Sequence, residues 1–269
     1  MIALEIIFVF IFGAIIGSFL NVLILRLPRE ESVNGRSHCM HCRHPLAPKD
    51  LVPFFSYLFL GGKCAYCNKK ISPRYFIIEG VTGLLFALVF YKFDLFLVQS
   101  TALYLDFLRA IFITSVLILV FMIDLEHFLI LDKIIYPATI VLFLFSSVID
   151  FVAQTSLYDS SALRGLIAAF GLFAFFGTLY LISNGRWIGF GDVKFTFFLG
   201  LATPFPIILP NIFLSFMFGS VVGIFLIAFR KRHLASRVPF GVFLSTSTMV
   251  TLLWGQQIWQ SYLNLIGWR

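Results

Sequence analysis

Residues 2–25 read IALEIIFVFIFGAIIGSFLNVLIL, with Glu5 as the one charge, and the run stops at Arg26, Pro28 and Arg29. A stretch of this length can cross ~30 Å of hydrocarbon as a helix, and a basic stop is how a membrane helix ends. Comparable apolar runs recur at about 76–93, 103–123, 134–152, 163–183, 193–209, 211–229 and 238–263, which makes eight. The 269 residues are 60% hydrophobic and 12% charged, about half the charged share of a soluble domain. A secreted or cytosolic globular enzyme is therefore excluded. The expected fold is an all-α polytopic membrane protein with about eight transmembrane helices and a small polar domain between helices one and two. The sixth run is short, because Pro204, Pro206 and Pro210 cluster where it meets the seventh.

The formal charge of +7 invites a nucleic-acid reading, but its distribution follows membrane orientation instead. Nine Lys and Arg lie between Arg26 and Tyr75; Lys133, Arg186 and Lys194 flank later connections, and Arg230, Lys231, Arg232 and Arg237 follow the seventh run. Lys92, Arg109, Arg164 and Arg269 are left for the other side. This places the amino terminus outside the cytoplasm and the loops after runs one, three, five and seven inside. The basic stretches contain no nucleic-acid motif, so no nucleic-acid partner is expected. The 35 phenylalanines read as lipid-facing filler. Gly13 with Gly17, and Gly219 with Gly223, have the small-xxx-small spacing of close helix approach, expected within the chain rather than between copies.

All four cysteines fall in the 26–75 loop as Cys39-x-x-Cys42 and Cys64-x-x-Cys67, with twenty-one residues between the pairs. Two such hairpins can aim four thiolates at one tetrahedral ion, and Zn2+ is the expected metal. Two disulfides are the alternative, disfavoured in a reducing cytoplasm. A loop this short and basic lacks the apolar mass to hold itself together, so a structural metal answers a need. His38, His41 and His44 read as solvated neighbours, since four cysteines already close the shell.

The third run ends in Asp124-Leu125-Glu126-His127, and the sixth begins after Gly189-Phe190-Gly191-Asp192-Val193-Lys194. Span parity puts Asp124 and Asp192 at the same depth near the inner face. A carboxylate there needs a partner, a cavity or a function. A helix cap at Asp192 and a solvated turn at Asp124 are the bland readings. As a pair, two close carboxylates retain one proton between them, the starting condition for acid–base hydrolysis of an amide. Helix dipoles favour the anion on Asp192, at an amino end, and the shared proton on Asp124, at a carboxyl end. Gly189 and Gly191 let backbone approach a substrate strand. Lys194 is expected to point away from Asp192 and to reach the inner surface.

Taken in order, these motifs resemble the type IV prepilin peptidases, the bifunctional leader peptidases and N-methyltransferases also classed as GxGD aspartic proteases of peptidase family A24. Gly17-Ser18-Phe19-Leu20-Asn21-Val22 through Arg26-Leu27-Pro28 is similar to the family's opening signature. The paired CxxC motifs, Ile71-Ser72-Pro73-Arg74-Tyr75 with Glu79, Asp124-Leu125-Glu126-His127 and Gly189-x-Gly191-Asp192-x-Lys194 follow in family order. The resemblance implies that Asp124 and Asp192 cut the basic leader from type IV prepilins or pseudopilins of pilus and type II secretion systems. It implies a cut after a glycine at the cytoplasmic face of the inner membrane. It also implies N-methylation of the new terminus, usually phenylalanine, with S-adenosyl-L-methionine as co-substrate. Glu79 either faces a methylation pocket or pairs with Arg74. Met40 and Leu131 stand where the family often has proline, which bears on local turns.

The expected domains are 8–92, containing the zinc loop, then a peptidase domain over 103–229, then a final helix over 238–263. No glycine-rich nucleotide fingerprint is present. Two rival functions remain: a transporter using Asp124 and Asp192 as a proton path, and a non-enzymatic pilus-assembly scaffold docking through its zinc loop. The first calls for midspan polar residues, and runs four, five and seven offer little beyond serines. The basic loop would repel a basic leader and is better suited to lipid headgroups.

Overall fold

The computed structural model describes residues 2–93, 100–229 and 238–267. The basic group after the seventh run, Arg230 to Arg237, and Arg269 lie outside the described residues. Among those described there are nine α-helices and no strand. The chain divides into two compact units, Met1–Leu97 and Val98–Arg269.

In the first unit, α1 (Ile2–Arg26) packs along α3 (Arg74–Phe93), with the short α2 (Phe55–Phe59) in the loop between them. The pairing of α1 and α3 depends on Gly13 and Gly17. A Cβ at Gly13 would stand 2.8 Å from Gly83 Cα, and one at Gly17 would stand 2.9 Å from both Glu79 Cα and Thr82 Oγ1. The small-residue stripe is thus used inside the chain, as its spacing suggests. On the later pair, Gly219 faces Phe243, whereas Gly223 faces open space.

The second unit contains α4 (Thr101–His127), α5 (Asp132–Ala153), α6 (Ser161–Ser183), α7 (Phe190–Ala202), α8 (Ile208–Ala228) and α9 (Phe240–Leu265). Caps set several of the ends. Ser100 Oγ accepts the Leu103 N–H, and Ser160 Oγ accepts that of Leu163, both at 3.1 Å. The Asp150 carboxylate, at the end of α5, accepts the amides of Ser161 and Ala162 at the start of α6. Phe128, Gln154 and Asn184 close α4, α5 and α6 in the left-handed conformation.

Among the described residues, six helices are long and apolar enough to cross a membrane: Ala3–Arg29, Arg74–Phe93, Thr101–His127, Asp132–Ala153, Ser161–Ser183 and Ile208–Ala228. The chain is a multi-pass membrane protein. α9 has the length, but its serines, threonines and glutamines dilute its apolar content. The sixth run departs most from expectation. Instead of extending over 193–209 it forms the 13-residue α7, ended at Ala202 ahead of Pro204 and Pro206. At 1.5 Å per residue it reaches only about 20 Å, short of the bilayer.

α7 is instead enclosed by protein. Val193, Phe195, Thr196, Phe198 and Leu199 are all fully buried, against α6, α5 and α9. Gly200 allows the tightest approach, since a Cβ there would fall 2.3 Å from the Ala169 nitrogen on α6. At the far end of α7 a buried polar cluster ties three segments together. Asn211 Nδ2 donates to Thr203 Oγ1 and Thr248 Oγ1, both at 3.0 Å, and Asn211 Oδ1 accepts from Ser247 Oγ at 2.7 Å. Ser215 hydrogen-bonds Ser247. The sequence reading found little polarity in the seventh run; Asn211 at its start is the residue around which this cluster forms. Such interhelical bonds act as glue where the hydrophobic effect gives helices no reason to associate. Asn211→Ala strands several buried hydroxyls, and thermal unfolding in detergent is expected to show a loss of about 1–2 kcal/mol.

Candidate active site and metal centre

Asp124 lies in the last turn of α4 and is 5% exposed. Its backbone carbonyl accepts the capping N–H of Phe128 at 2.9 Å. Its side chain turns to another helix: Oδ2 accepts the Val242 N–H at 3.2 Å, and the Gly241 amide also donates to the carboxylate. Asp124 therefore sits at the carboxyl end of its own helix but addresses the amino end of α9. Dipole reasoning from its own helix alone, which set Asp124 apart from Asp192, does not hold for this geometry, because both carboxylates meet helix amino ends.

Asp192 occupies the third position of α7, after Gly189 in extended conformation. Oδ2 accepts the Gly189 N–H at 3.2 Å, and the Asp192 N–H donates to the Gly189 carbonyl at 3.1 Å. The capping role is real, and it coexists with proximity to the other aspartate, since the two carboxylates interact electrostatically. Separated widely in sequence, they are brought together by the packing of α4, α7 and α9.

The glycines around them leave room for one side chain, Ile130, from the turn between α4 and α5. A Cβ at Gly191 would stand 3.0 Å from Ile130 Cβ. A Cβ at Gly241 would stand 2.8 Å from Asp124 Oδ2 and 3.2 Å from Ile130 Cδ1. Gly241 and Val242 escaped the sequence reading. Their signal was modest: Pro239 followed by Phe240-Gly241 at a helix start, after a basic loop.

Lys194 does not simply reach to the surface. Its Nζ pairs with Asp132 at 2.6 and 2.8 Å, 5.0 Å from the Phe190 ring centre and 5.8 Å from that of Tyr136. It fastens the first turns of α5 and α7 to each other and supplies a cation for Asp132. Leu131, where the family often has proline, still begins α5 from an extended conformation, and its carbonyl accepts the Ile134 and Ile135 amides.

In the first unit the two CxxC segments fold as the same turn made twice. The Cys39 N–H donates to the His44 carbonyl and Arg43 N–H to the Cys39 carbonyl; Cys64 N–H donates to Lys69 and Asn68 N–H to Cys64. Arg43 and Asn68 both take left-handed φ, 56° and 57°. The short bridges His38 to Pro45 and Lys63 to Lys70 bracket the turns. All four thiols are free, and their sulfur atoms lie within 4.8 Å of one another. Cys39 Sγ to Cys67 Sγ is 3.9 Å, against about 3.8 Å for the edge of a tetrahedron with 2.3 Å metal–sulfur bonds. The site can hold one tetrahedral metal ion. Burial works against the Cys39 thiolate, but the amides of Cys42 and His41 and the thiols of Cys64 and Cys42 outweigh it and lower its pKa to about 7. The histidines stay outside this grouping, and the His44 ring packs on Tyr66, centroids 3.7 Å apart. Met40 is a half-exposed residue inside the first turn.

Glu79 is 8% exposed, and its Oε2 accepts the N–H of Phe54 at 3.0 Å. Phe54 has φ 62°, a conformation that a bulky residue adopts only when neighbours hold it. Its ring packs on Phe10 and Phe76, with centroids at 5.6 and 4.9 Å.

A family model described as the type IV leader peptidase family matches residues 111–224, which contain both aspartates. A model described as the bacterial peptidase A24 N-terminal domain matches residues 11–93, which contain the cysteines and Glu79. The prepilin leader peptidase/N-methyltransferase of Pseudomonas aeruginosa is 30% identical over 282 residues, covering 96% of this chain and 93% of that protein. The protein of the same description from Aeromonas hydrophila is 32% identical, covering 95% and 93%. That from Bacillus subtilis is 29% identical, covering 95% and 97%. No solved structure matches the chain. Two domain models in order, and relatives aligned over nearly their whole length, carry the same conclusion as the motifs: the chain belongs to the prepilin leader peptidase/N-methyltransferase family.

Proposed function

We propose that Asp124 and Asp192 are the catalytic pair of a membrane-embedded aspartic endopeptidase that removes the basic leader from prepilins or pseudopilins. The observation that carries this reading is that two carboxylates drawn from α4 and α7 lie within Coulombic range of each other, beside the bare backbone of Gly189, Gly191 and Gly241 and on either side of Ile130. One carboxylate, ionised, takes a proton from water as the oxygen attacks the scissile carbonyl. The other, protonated, hydrogen-bonds that carbonyl oxygen and then delivers its proton to the departing nitrogen. Water is consumed, and one carboxyl and one amine are released. Gly189 and Gly191 flank Asp192 with bare backbone, suited to an extended substrate strand.

The proposed location is the inner, cytoplasmic membrane, with the cysteine loop and both aspartates on the cytoplasmic side, an orientation resting on the distribution of Lys and Arg. Zn2+ is the metal best suited to four cysteine sulfurs at this spacing, as a closed structural site. The second activity, methylation of the new amino terminus, is taken from the family. S-adenosylmethionine supplies an electrophilic methyl group there. The transporter and scaffold readings are not favoured beside relatives described as peptidases over the full chain.

Reconstitution with a prepilin, following leader release and amino-terminal mass together, tests the proposal. Asp124→Asn and Asp192→Asn are each expected to reduce cleavage by at least about 10³-fold with unfolding unchanged; retention of wild-type cleavage by either would exclude the pair. Gly241→Ala forces the Asp124 carboxylate aside, and kcat is expected to fall by about 10²-fold, the cost of a displacement near 1 Å. Metal analysis is expected to find one zinc per chain, and Cys64→Ser to lose it together with thermal stability.

A further inference from the structure

Residues 51–62 read LVPFFSYLFLGG and carry no charge, although they lie in the polar loop between α1 and α3. A run of this length is too short to cross a bilayer; it belongs in a protein core or in a segment that enters the membrane and leaves on the same side. The core reading fails on one face. Phe55, Leu58 and Phe59 stand exposed on α2, Phe59 at 85%, and the rings of Phe55 and Phe59 stack on each other. The opposite face packs on the membrane helices. Tyr57 lies on Phe76 with centroids 5.4 Å apart, beside the contacts of Phe54 with Phe10 and Phe76.

Those contacts fix the depth of the segment. α3 runs for 20 residues from Arg74, with Lys92 in its last turn. At 1.5 Å per residue that is about 30 Å, so its whole length is needed to span the hydrocarbon. Phe54 leans on Gly80, where a Cβ would stand 3.3 Å from its ring, and donates its N–H to Glu79. Gly80 lies about 9 Å inside the first residue of α3, so what rests on it is below the membrane surface. The backbone meets the demand of that setting. Phe55 N–H closes a tight turn onto the Pro53 carbonyl at 2.7 Å, and the amides of Ser56, Leu58, Leu60, Gly61, Gly62 and Lys63 donate to carbonyls between Val52 and Leu60. Ser56 Oγ also donates to the Val52 carbonyl. Backbone that enters lipid must be satisfied from within the protein in this way.

We infer that residues 51–60 form a re-entrant turn seated in the acyl boundary of the bilayer, with Phe55, Leu58 and Phe59 covered by lipid tails. Three observations select lipid as the occupant. The segment rests on α3 at a depth where that helix crosses hydrocarbon, and an apolar face about 5–10 Å below the headgroups is the usual seat of an interfacial helix. The exposed side chains of α2 are all apolar. Cations bound the stretch on both sides: Lys49 precedes it, and Lys63, Lys69 and Lys70 follow, all exposed, with Lys63 and Lys70 set together by their short bridge. Their long stems reach headgroup phosphates while the turn between them dips into the tails. The loop is therefore pinned to the membrane at a third point besides the ends of α1 and α3. Cys64 follows Lys63 directly, so the second cysteine turn is held close against the headgroups.

The test is photocrosslinking of the full chain in nanodiscs of phosphatidylethanolamine and phosphatidylglycerol, with Phe59 replaced by p-benzoylphenylalanine and the products read by mass spectrometry. The expected product is the peptide containing residue 59 joined to a phospholipid through an acyl chain. An adduct confined to the headgroup moves the segment to the surface and overturns the insertion. A crosslink to a peptide within 98–269 or to a second copy of the chain assigns the face to protein and overturns it, as does the absence of any lipid adduct. A second measurement uses the sign of a charge substitution. In the same nanodiscs, Phe59→Asp is expected to lower the midpoint of thermal unfolding of the loop by several degrees, read by thiol labelling of the cysteines, while Phe59→Leu keeps it. Asp at an exposed position in water has no such effect, so an unchanged or raised midpoint for Phe59→Asp places the face in water and overturns the proposal. Should Phe59→Asp fail to fold in the bilayer, the crosslink still decides.

Discussion

A carboxylate carried to the edge of the hydrocarbon must be held by something other than water, and this chain meets that demand twice with the same device. Asp192 accepts an N–H from the first turn of its own helix, and Asp124 accepts one from the first turn of α9, 118 residues further along the chain. Each helix amino end supplies unpaired donors and partial positive charge at no cost in added cations. A lysine in either place would neutralise its carboxylate and remove the negative charge from the pair. The lysine nearest in sequence, Lys194, is instead committed to Asp132.

That arrangement explains why α7 is short and buried. A full-length span would present its flank to lipid, whereas a 13-residue helix enclosed by α5, α6 and α9 fixes the position of its amino end from several sides. The cluster around Asn211 anchors the opposite end of α7 through Thr203. Glycine at 200 and alanines at 168 and 169 bring α6 and α7 close enough that the placement of Asp192 follows from backbone packing. Rigid placement of this kind is what acid–base chemistry by two side chains requires.

Much of this was legible from residue order. Seven of the eight apolar runs became helices with ends close to those expected, because length and charge at span ends are local properties. The cysteine spacing announced four convergent sulfurs, since two identical turns need only local geometry plus one long-range closure. Span parity set the two aspartates at one depth, and in the structure Asp192 lies within Coulombic range of Asp124. What could not be read were contacts that depend on which helix packs beside which: the amides of Gly241 and Val242 on Asp124, the bond from Lys194 to Asp132, and the Asn211 cluster. Asn211 stood at the start of an apolar run and carried no periodic signal. The early end of α7 is an intermediate case. The three prolines marked it, but a sequence of apolar residues does not say whether lipid or protein surrounds them.

Ile130 fills the narrow space left by the two glycines, touching the positions a Cβ would take on both α7 and α9. It acts as a shim between those helix ends. The spacing of the helix ends beside the two acids is therefore set by one aliphatic side chain on a tight connection. A thinner residue would let the helix ends draw in, and a bulkier one would prise them apart. The aperture is thus adjustable by changing a residue that carries no chemistry of its own.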